Sequence, residues 1–325
     1  MSAACAGCGA DGGHRLHTAR EMMFGLGGAF TYRECADCGC LELLDPPADL
    51  SPYYPADYYS YRRGAGRRPE GLDAWLKRHR ARACLEGGDP LGSLLTRAFG
   101  VPAQLRWLRR LGVGRDAAVL DVGCGAGELL RELQRDGCRR LAGIDPYLAG
   151  DLDLGGGLVV RRRGLDEVVE RYDLVMLHHV LEHLPDQRRA FAQLRRVVKP
   201  RGALLVRVPV ADSLAWRRYG VDWVQLDAPR HLVLHTRRSL ERLAGNAGFA
   251  LEGSEDDGTA FQFWGSEQYR RGIPLRDPRS HATDPRRSPF NRAELAGFAR
   301  EAAQANRDGT SDQAVFYFRR DATAD

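Results

Sequence analysis

The sequence predicts an α/β protein: a Rossmann-like, doubly wound, mostly parallel sheet preceded by a small metal-binding module at the N-terminus. Three observations carry that prediction. From Ala117 onward, short apolar runs alternate with amphipathic stretches at helical spacing, the pattern of parallel strands covered on both faces. The first of these runs enters Gly123-Cys124-Gly125-Ala126-Gly127, a glycine turn placed between strand and helix. Five of the eight cysteines fall in the first 40 residues, and four of them form two Cys-x2-Cys pairs.

Composition narrows the class. The 325 residues are enough for about two domains, and 43% apolar with 28% charged residues is the mixture of a globular protein with a sizeable core. The longest purely apolar runs are a few residues, as at Ala203 to Val206, too short to cross a bilayer. The start, MSAACAGCGADGGH, has neither a basic flank nor an apolar stretch, so export by a standard signal peptide is not expected and a cytoplasmic location is. The net charge of +5 is modest for this length, and the arginines that supply it are scattered. Arg161 to Arg163 and Arg286-Arg287 read as solvated faces or loops, and nucleic acid is an unfavoured partner.

Residues 1–48 form the expected metal module. Cys5-x2-Cys8 and Cys35-x2-Cys38 each make a tight turn that aims two sulfurs at one point, and two such turns give the tetrahedral thiolate site that a structural zinc prefers. A redox role would need one motif at the head of a thioredoxin-like helix, and neither motif stands before a helical pattern. Cys40, His14 and His17 are the possible substitutes for one ligand. Zinc would contribute on the order of 10 to 16 kcal/mol, which lets so small a module fold and makes the metal structural. Cys84, Cys124 and Cys138 lie in later elements and read as small buried residues.

Residues 49–112 are the connector. SPYYPADYYSYRR, Ser51 to Arg63, carries five tyrosines and two prolines and reads as an ordered, non-helical strap packing its rings on a neighbouring domain. Residues 71 to 111 show helical spacing, with Leu72, Trp75, Leu76 and His79 on one face and Leu105, Leu108 and Leu111 on another, ended by Gly112.

Residues 113–257 hold the doubly wound sheet. Its strands are Ala118 to Val122, LAGID ending at Asp145, Tyr172 to Leu177, and Ala203 to Val208. The helices carry Leu129, Leu130 and Leu133, then Ala190, Phe191, Leu194, Val197 and Val198. A dinucleotide fingerprint would need glycine at 128, where the chain has Glu128; a carboxylate in the first turn is a poor neighbour for a pyrophosphate. A ligand without phosphate fits better.

S-adenosylmethionine is such a ligand, and VLDVGCGAGELL (Val119 to Leu130) resembles the first motif of the class I S-adenosylmethionine-dependent methyltransferases, in the branch that includes types 11, 12 and 23. The resemblance extends through YDLVMLHHVLEHLPD (Tyr172 to Asp186), VVKPRGALLVRVPVADS (Val197 to Ser213) and WVQLDAPRHLVLHTRRSLERLAGNAGF (Trp223 to Phe249), although Val210 stands where the family often has asparagine. It implies that Gly123, Gly125 and Gly127 let backbone approach the methionine moiety, that Asp121 helps anchor its ammonium group, and that Asp145 accepts the ribose hydroxyls. Cys124, Pro146, His178 and His179 would lie beside them. That branch often carries an N-terminal cysteine-rich zinc module and commonly acts on cell-surface sugars or secondary metabolites.

Methyl transfer to a hydroxyl needs the acceptor positioned for in-line displacement and its proton removed. Candidate groups are His178, His179, Glu182, His183 and His231. His231 is the preferred base, with His179 and His183 the other catalytic candidates, because the Pro229-Arg230-His231-Leu232 turn precedes a helix starting near Thr236, the place where the related sugar methyltransferases carry their histidine. Glu182-His183 is expected mainly to order the loop around the cofactor. The last section, residues 258–325, is an acceptor-side insertion followed by a final strand at Ala314 to Arg319. Phe261, Phe263, Trp264 and Tyr269 there can either wall an acceptor cavity or seal the core. The expected reaction is methyl transfer to a hydroxyl of a sugar-like or natural-product acceptor. Sugar C-methylation, RNA methylation and cofactor binding without turnover are the alternatives.

Overall fold

The computed structural model describes residues 4–54 and 71–322. In chain order, β1 (Arg15–Arg20), β2 (Ala29–Glu34) and β3 (Leu41–Leu43) form an antiparallel meander. A fourth strand from far along the sequence, β10 (Val233–Leu234), completes that sheet by pairing antiparallel with β3. Of the tyrosine-rich stretch, only Ser51–Tyr54 is described, with Ser51–Tyr53 in a single 3-10 turn; the remainder, and with it the expected strap, lies outside the described residues.

Three helices follow, α1 (Leu72–Leu85), α2 (Pro90–Phe99) and α3 (Ala103–Arg110). Leu105, Leu108 and Leu111 are buried as their spacing predicts, and Gly112 stops the helix at φ 66°. The face expected on α1 is not buried: Leu72 is 69% exposed and Trp75 46%. The interior side of α1 consists of Ala74, Ala81 and Cys84. Small residues allow α1 and α2 to touch backbone to backbone, since a Cβ on Gly92 would lie 2.0 Å from the His79 carbonyl oxygen.

The large sheet begins with β4 (Ala118–Val122), every residue of which is buried, as a strand covered on both faces requires. After it come α4 (Glu128–Arg135), β5 (Arg140–Ile144), β6 (Leu152–Gly155), β7 (Leu158–Arg161), β8 (Tyr172–His178), α5 (Gln187–Val197) and β9 (Val198–Pro209). α6 (Leu214–Tyr219), α7 (Arg237–Asn246), β11 (Phe249–Asp256), α8 (Phe261–Arg270), α9 (Arg292–Asp308) and β12 (Gln313–Arg320) complete the chain. The strand order is β11-β12-β9-β8-β4-β5-β7-β6. β4 pairs in parallel with β5 on one side and β8 on the other, and β5 pairs in parallel with β7. The connection from β5 to β7 runs through the antiparallel edge strand β6 in place of a helix, a hairpin that the alternating pattern does not reveal because its two strands are only four residues each. Among the described residues, no helix is long and apolar enough to cross a membrane.

The described residues fall into two compact units. One comprises residues within 4–54, 179–191 and 206–316; the other comprises residues within 71–178, 192–205 and 317–322. The first has a core that includes Tyr32, Leu41, Trp223, Leu226, Leu234 and Phe263. In the second, the hairpin side of the sheet closes over Leu130, Leu148, Leu154, Leu158 and Val160.

Candidate functional site

In the second unit the chain reverses direction across the sheet at β4, whose neighbours are β5 and β8, and ligands of open α/β sheets bind beyond the carboxyl ends of strands at such a switch point. The residues expected to hold a cofactor are placed there by the strands. Gly123, Gly125 and Gly127 all have positive φ, at 69°, 52° and 78°. Gly127 must remain glycine for a further reason: a Cβ would lie 2.6 Å from Leu154 and 3.0 Å from Val160. Asp145, one residue past β5, accepts the Gly125 amide on Oδ2 at 3.0 Å and the Tyr147 amide on Oδ1 at 2.9 Å. Asp121 is buried in β4 and accepts no charge-balancing cation among the described residues' ion pairs. Burial, and secondarily the charge of Asp145, pushes its carboxyl up to about 8. Burial likewise raises Asp145. Both shifts arise first from burial, which disfavours the charged form, and a cation placed beside these groups would relieve that cost.

Cys124 is half-buried and Pro146 is exposed. His178 ends β8 with its ring 4.9 Å from that of Trp107. Trp107 is a buried residue of α3 and lies outside the glycine motif.

In the first unit, two short loops are tied together. The Leu232 amide donates to the Glu182 carbonyl at 2.7 Å, and the Tyr32 hydroxyl donates to the His231 carbonyl at 2.8 Å. Between these bonds, one ring nitrogen of His183, one of His231 and a Glu182 carboxylate oxygen lie within 4.8 Å of one another. The hydrogen bonds fix the tautomers. His231 Nδ1 lies 2.7 Å from the Gln225 carbonyl oxygen and His183 Nδ1 lies 2.9 Å from the Arg230 carbonyl oxygen. Carbonyls only accept, so in each neutral ring Nδ1 carries the proton and Nε2 the lone pair. The rings meet edge to face at 4.8 Å. Burial, followed by the neighbouring His183, lowers His231 to about 4 and keeps it neutral.

His179, at φ 54°, has both nitrogens engaged. Nε2 is 3.2 Å from Arg207 Nη1, which can only donate, so in the neutral ring the proton is on Nδ1, 3.3 Å from Glu182 Oε1. Glu182 is 1% exposed. Burial alone would raise its carboxyl, but the hydrogen bond from His179, with the nearby His183 and His231, lowers it to about 2.

Behind His231 sits a buried ion cluster that its sequence neighbours did not announce. Arg230, fully buried, pairs with Asp227 through Nη2 at 2.6 Å and Nε at 2.9 Å, and with Glu21 at 3.1 Å. Glu21 in turn accepts the amides of Met23, Phe24 and Leu26. Glu21 lies more than 200 residues before Arg230, which is why no local pattern could pair them. Among the described residues, two members of the tyrosine-rich stretch reach this region: the Tyr53 carbonyl accepts from Arg230 Nη1 at 3.4 Å, and the Tyr54 hydroxyl is 3.1 Å from His183 Nδ1. Of the four insertion rings, Phe263 and Tyr269 are buried core, while Phe261 and Trp264 are partly exposed, with ring centroids 4.8 Å apart and planes tilted by 58°.

The four N-terminal cysteines converge. Residues 5–10 and 35–40 form the same turn twice: the Cys5 and Cys35 amides donate to the carbonyls of Ala10 and Cys40, and the Gly9 and Gly39 amides donate back to those of Cys5 and Cys35. Cys5 and Cys38 sulfurs are 3.6 Å apart, as are those of Cys8 and Cys35. Four sulfurs at about 2.3 Å from a tetrahedral zinc stand about 3.8 Å apart, so the donor set fits that ion. Cys40 is buried beside them with its sulfur 3.9 Å from His235 Nδ1, and His17 is engaged by Glu34 at 2.7 Å.

Residues 93–253 match a family model described as a methyltransferase domain. The chain is 30% identical over 174 residues to a ubiquinone biosynthesis O-methyltransferase of Azorhizobium caulinodans, covering 49% of this chain and 66% of that protein. It is 32% identical over 128 residues to the protein of the same description from Serratia proteamaculans, covering 35% and 52%. The chain thus spans between half and two thirds of the length of these relatives. A crystal structure described as an S-adenosylmethionine dependent methyltransferase from Mesorhizobium loti aligns at 18% identity with a TM-score of 0.42, covering 67% of this chain and 98% of that one. The chain carries the α/β fold of the class I S-adenosylmethionine-dependent methyltransferases, together with a cysteine cluster able to chelate a metal ion.

Proposed function

We propose that this protein transfers a methyl group from S-adenosylmethionine to a hydroxyl of a small acceptor of the sugar or natural-product class. The observation that carries the proposal is the turn of three positive-φ glycines fastened to Asp145, with Asp121 buried beside it, inside the stretch that matches a methyltransferase domain. The donor supplies a sulfonium methyl already activated for in-line displacement. Asp121 holds its ammonium group, Asp145 its ribose hydroxyls, and the backbone of Gly123, Cys124 and Gly125, with Gly127, Pro146 and His178 at the margins, shapes the rest. The printed descriptions of the Azorhizobium and Serratia relatives, both O-methyltransferases, support oxygen as the acceptor atom.

On the acceptor side, His231 Nε2 offers the lone pair that takes the hydroxyl proton, because its Nδ1 proton is committed to the Gln225 carbonyl. His183, oriented the same way by the Arg230 carbonyl, is the second catalytic group. His179 is assigned a positioning role through its contact with Glu182. The cysteine cluster holds a structural zinc. A small-molecule partner and a cytoplasmic setting complete the reading. The test is to incubate metal-replete protein with the donor and a panel of sugar nucleotides, phenolic natural products and RNA, and to measure S-adenosylhomocysteine. Release with a hydroxyl-bearing small molecule supports the proposal; release with RNA alone, or with no member of the panel, contradicts it.

A further inference from the structure

We infer that Glu182, His183 and His231 form a second metal site, one that takes a divalent first-row cation on two imidazole nitrogens and a carboxylate. The inference concerns metal binding and stands whether or not the methyl-transfer proposal holds.

Four features point to it. The donor set is two imidazoles and one carboxylate, the mixture that suits zinc, iron, cobalt or nickel and leaves coordination positions open. Both histidines give their other ring nitrogen to a backbone carbonyl, Gln225 for His231 and Arg230 for His183, which is the outer arrangement that fixes ligand tautomers at metal sites. Glu182 Oε2 is buried with no hydrogen-bond partner and Oε1 has only the His179 Nδ1 contact at 3.3 Å, so the carboxylate keeps lone pairs free for a cation. Finally, the backbone that carries the donors is fixed, by the bond from the Leu232 amide to the Glu182 carbonyl and by the Tyr32 hydroxyl on the His231 carbonyl. The three donor atoms lie within 4.8 Å, and ligands about 2.1 Å from a cation stand about 3 to 3.4 Å apart, so loading requires side-chain shifts of about 1 to 2 Å.

Such a cation gives the cluster two states. Without it, His231 Nε2 is a free proton acceptor. With it, the same lone pair is a ligand, and the positive charge lowers the pKa of a coordinated water or hydroxyl. An acceptor carrying two adjacent oxygens would then be held by chelation at the open positions.

The experiment is equilibrium dialysis of the full chain, with its four-cysteine site already filled by zinc, against cobalt(II) in the absence of donor and acceptor. We expect one further equivalent of cobalt per chain, without the intense thiolate-to-cobalt absorption that exchange into the cysteine site would give. Glu182→Gln and His231→Asn should each bind it at least about tenfold more weakly while retaining the cysteine-site zinc, which reports that their unit is folded. In copper(II)-loaded wild type, pulsed electron paramagnetic resonance should detect two imidazoles, a readout that needs no variant. No further equivalent in wild type, equal binding by zinc-retaining His231→Asn, or fewer than two imidazoles would overturn the inference.

Discussion

Asp145 Oδ2 accepts the amide proton of Gly125 at 3.0 Å, fastening the acidic end of β5 to the glycine turn that follows β4. Its other oxygen accepts the Tyr147 amide, so the carboxylate is fixed in orientation before any ligand arrives. Asp121 lies on the neighbouring strand in parallel register, opposite Gly143. Burial, and secondarily the charge of Asp145, holds the Asp121 proton, and the consequence is a dependence on pH.

Unliganded, Asp121 keeps its proton up to about pH 8, whereas in the unfolded chain it loses it near 4. Ionising it inside the fold is unfavourable, so its contribution to the stability of the unliganded protein declines as pH rises from about 4 to about 8. A cationic donor has the opposite preference and binds the ionised form. Between about pH 6 and 7.5, affinity for S-adenosylmethionine should rise by up to about tenfold per pH unit, and Asp121→Asn should flatten that slope and weaken binding. Calorimetric titration across the range checks both.

His231 and His235 are buried and lowered to about 4, in each case chiefly by burial. An unfolded histidine takes its proton near 6.5. Both therefore favour the folded state above 6.5 and withdraw that contribution as pH falls toward 4, by on the order of 3 kcal/mol for each fully buried ring. Urea midpoints should drop steeply over that interval, and His235→Gln should remove part of the drop.

Replacing the base is the sharpest test of the proposed mechanism. His231→Ala should lower turnover by ~10² to 10⁴ while leaving donor affinity nearly unchanged. Comparable turnover in the folded variant would move the proton acceptor elsewhere, with His183 the next group to replace.

Arg230 is fully buried between Glu21 and Asp227. Arg230→Met should destabilise the protein by about 3 to 5 kcal/mol, because it strands two buried carboxylates. Making Glu21→Gln and Asp227→Asn in the same chain should recover part of that loss, because both replacements are neutral and keep an oxygen that accepts hydrogen bonds. Chemical denaturation of the single and triple variants measures it.

How much of this was legible follows from how local each pattern is. The two Cys-x2-Cys turns, the β4 strand and its glycine turn are each contiguous, and their sequence determines their geometry almost alone. Asp145 was readable because a strand end is where open sheets bind ligands. By contrast, the hairpin β6–β7 has strands too short to show a period. The exposed Leu72 and Trp75 misled because α1 buries small residues against Gly92, and large apolar side chains were the only helical signal available. The Glu21–Arg230 pair and the Gln225 carbonyl that orients His231 are invisible in one dimension: the first spans more than 200 residues, and the second uses no side chain.

The central claim is that the glycine turn with its paired acids accepts a cationic sulfonium donor. Isothermal titration of folded, zinc-replete protein with S-adenosylmethionine tests it most directly. The account predicts one donor bound per chain, with binding weakened at least about tenfold by Asp145→Ala, which removes the ribose acceptor. No heat of binding from protein shown to be folded and zinc-loaded, or uptake of a dinucleotide in its place, would contradict it.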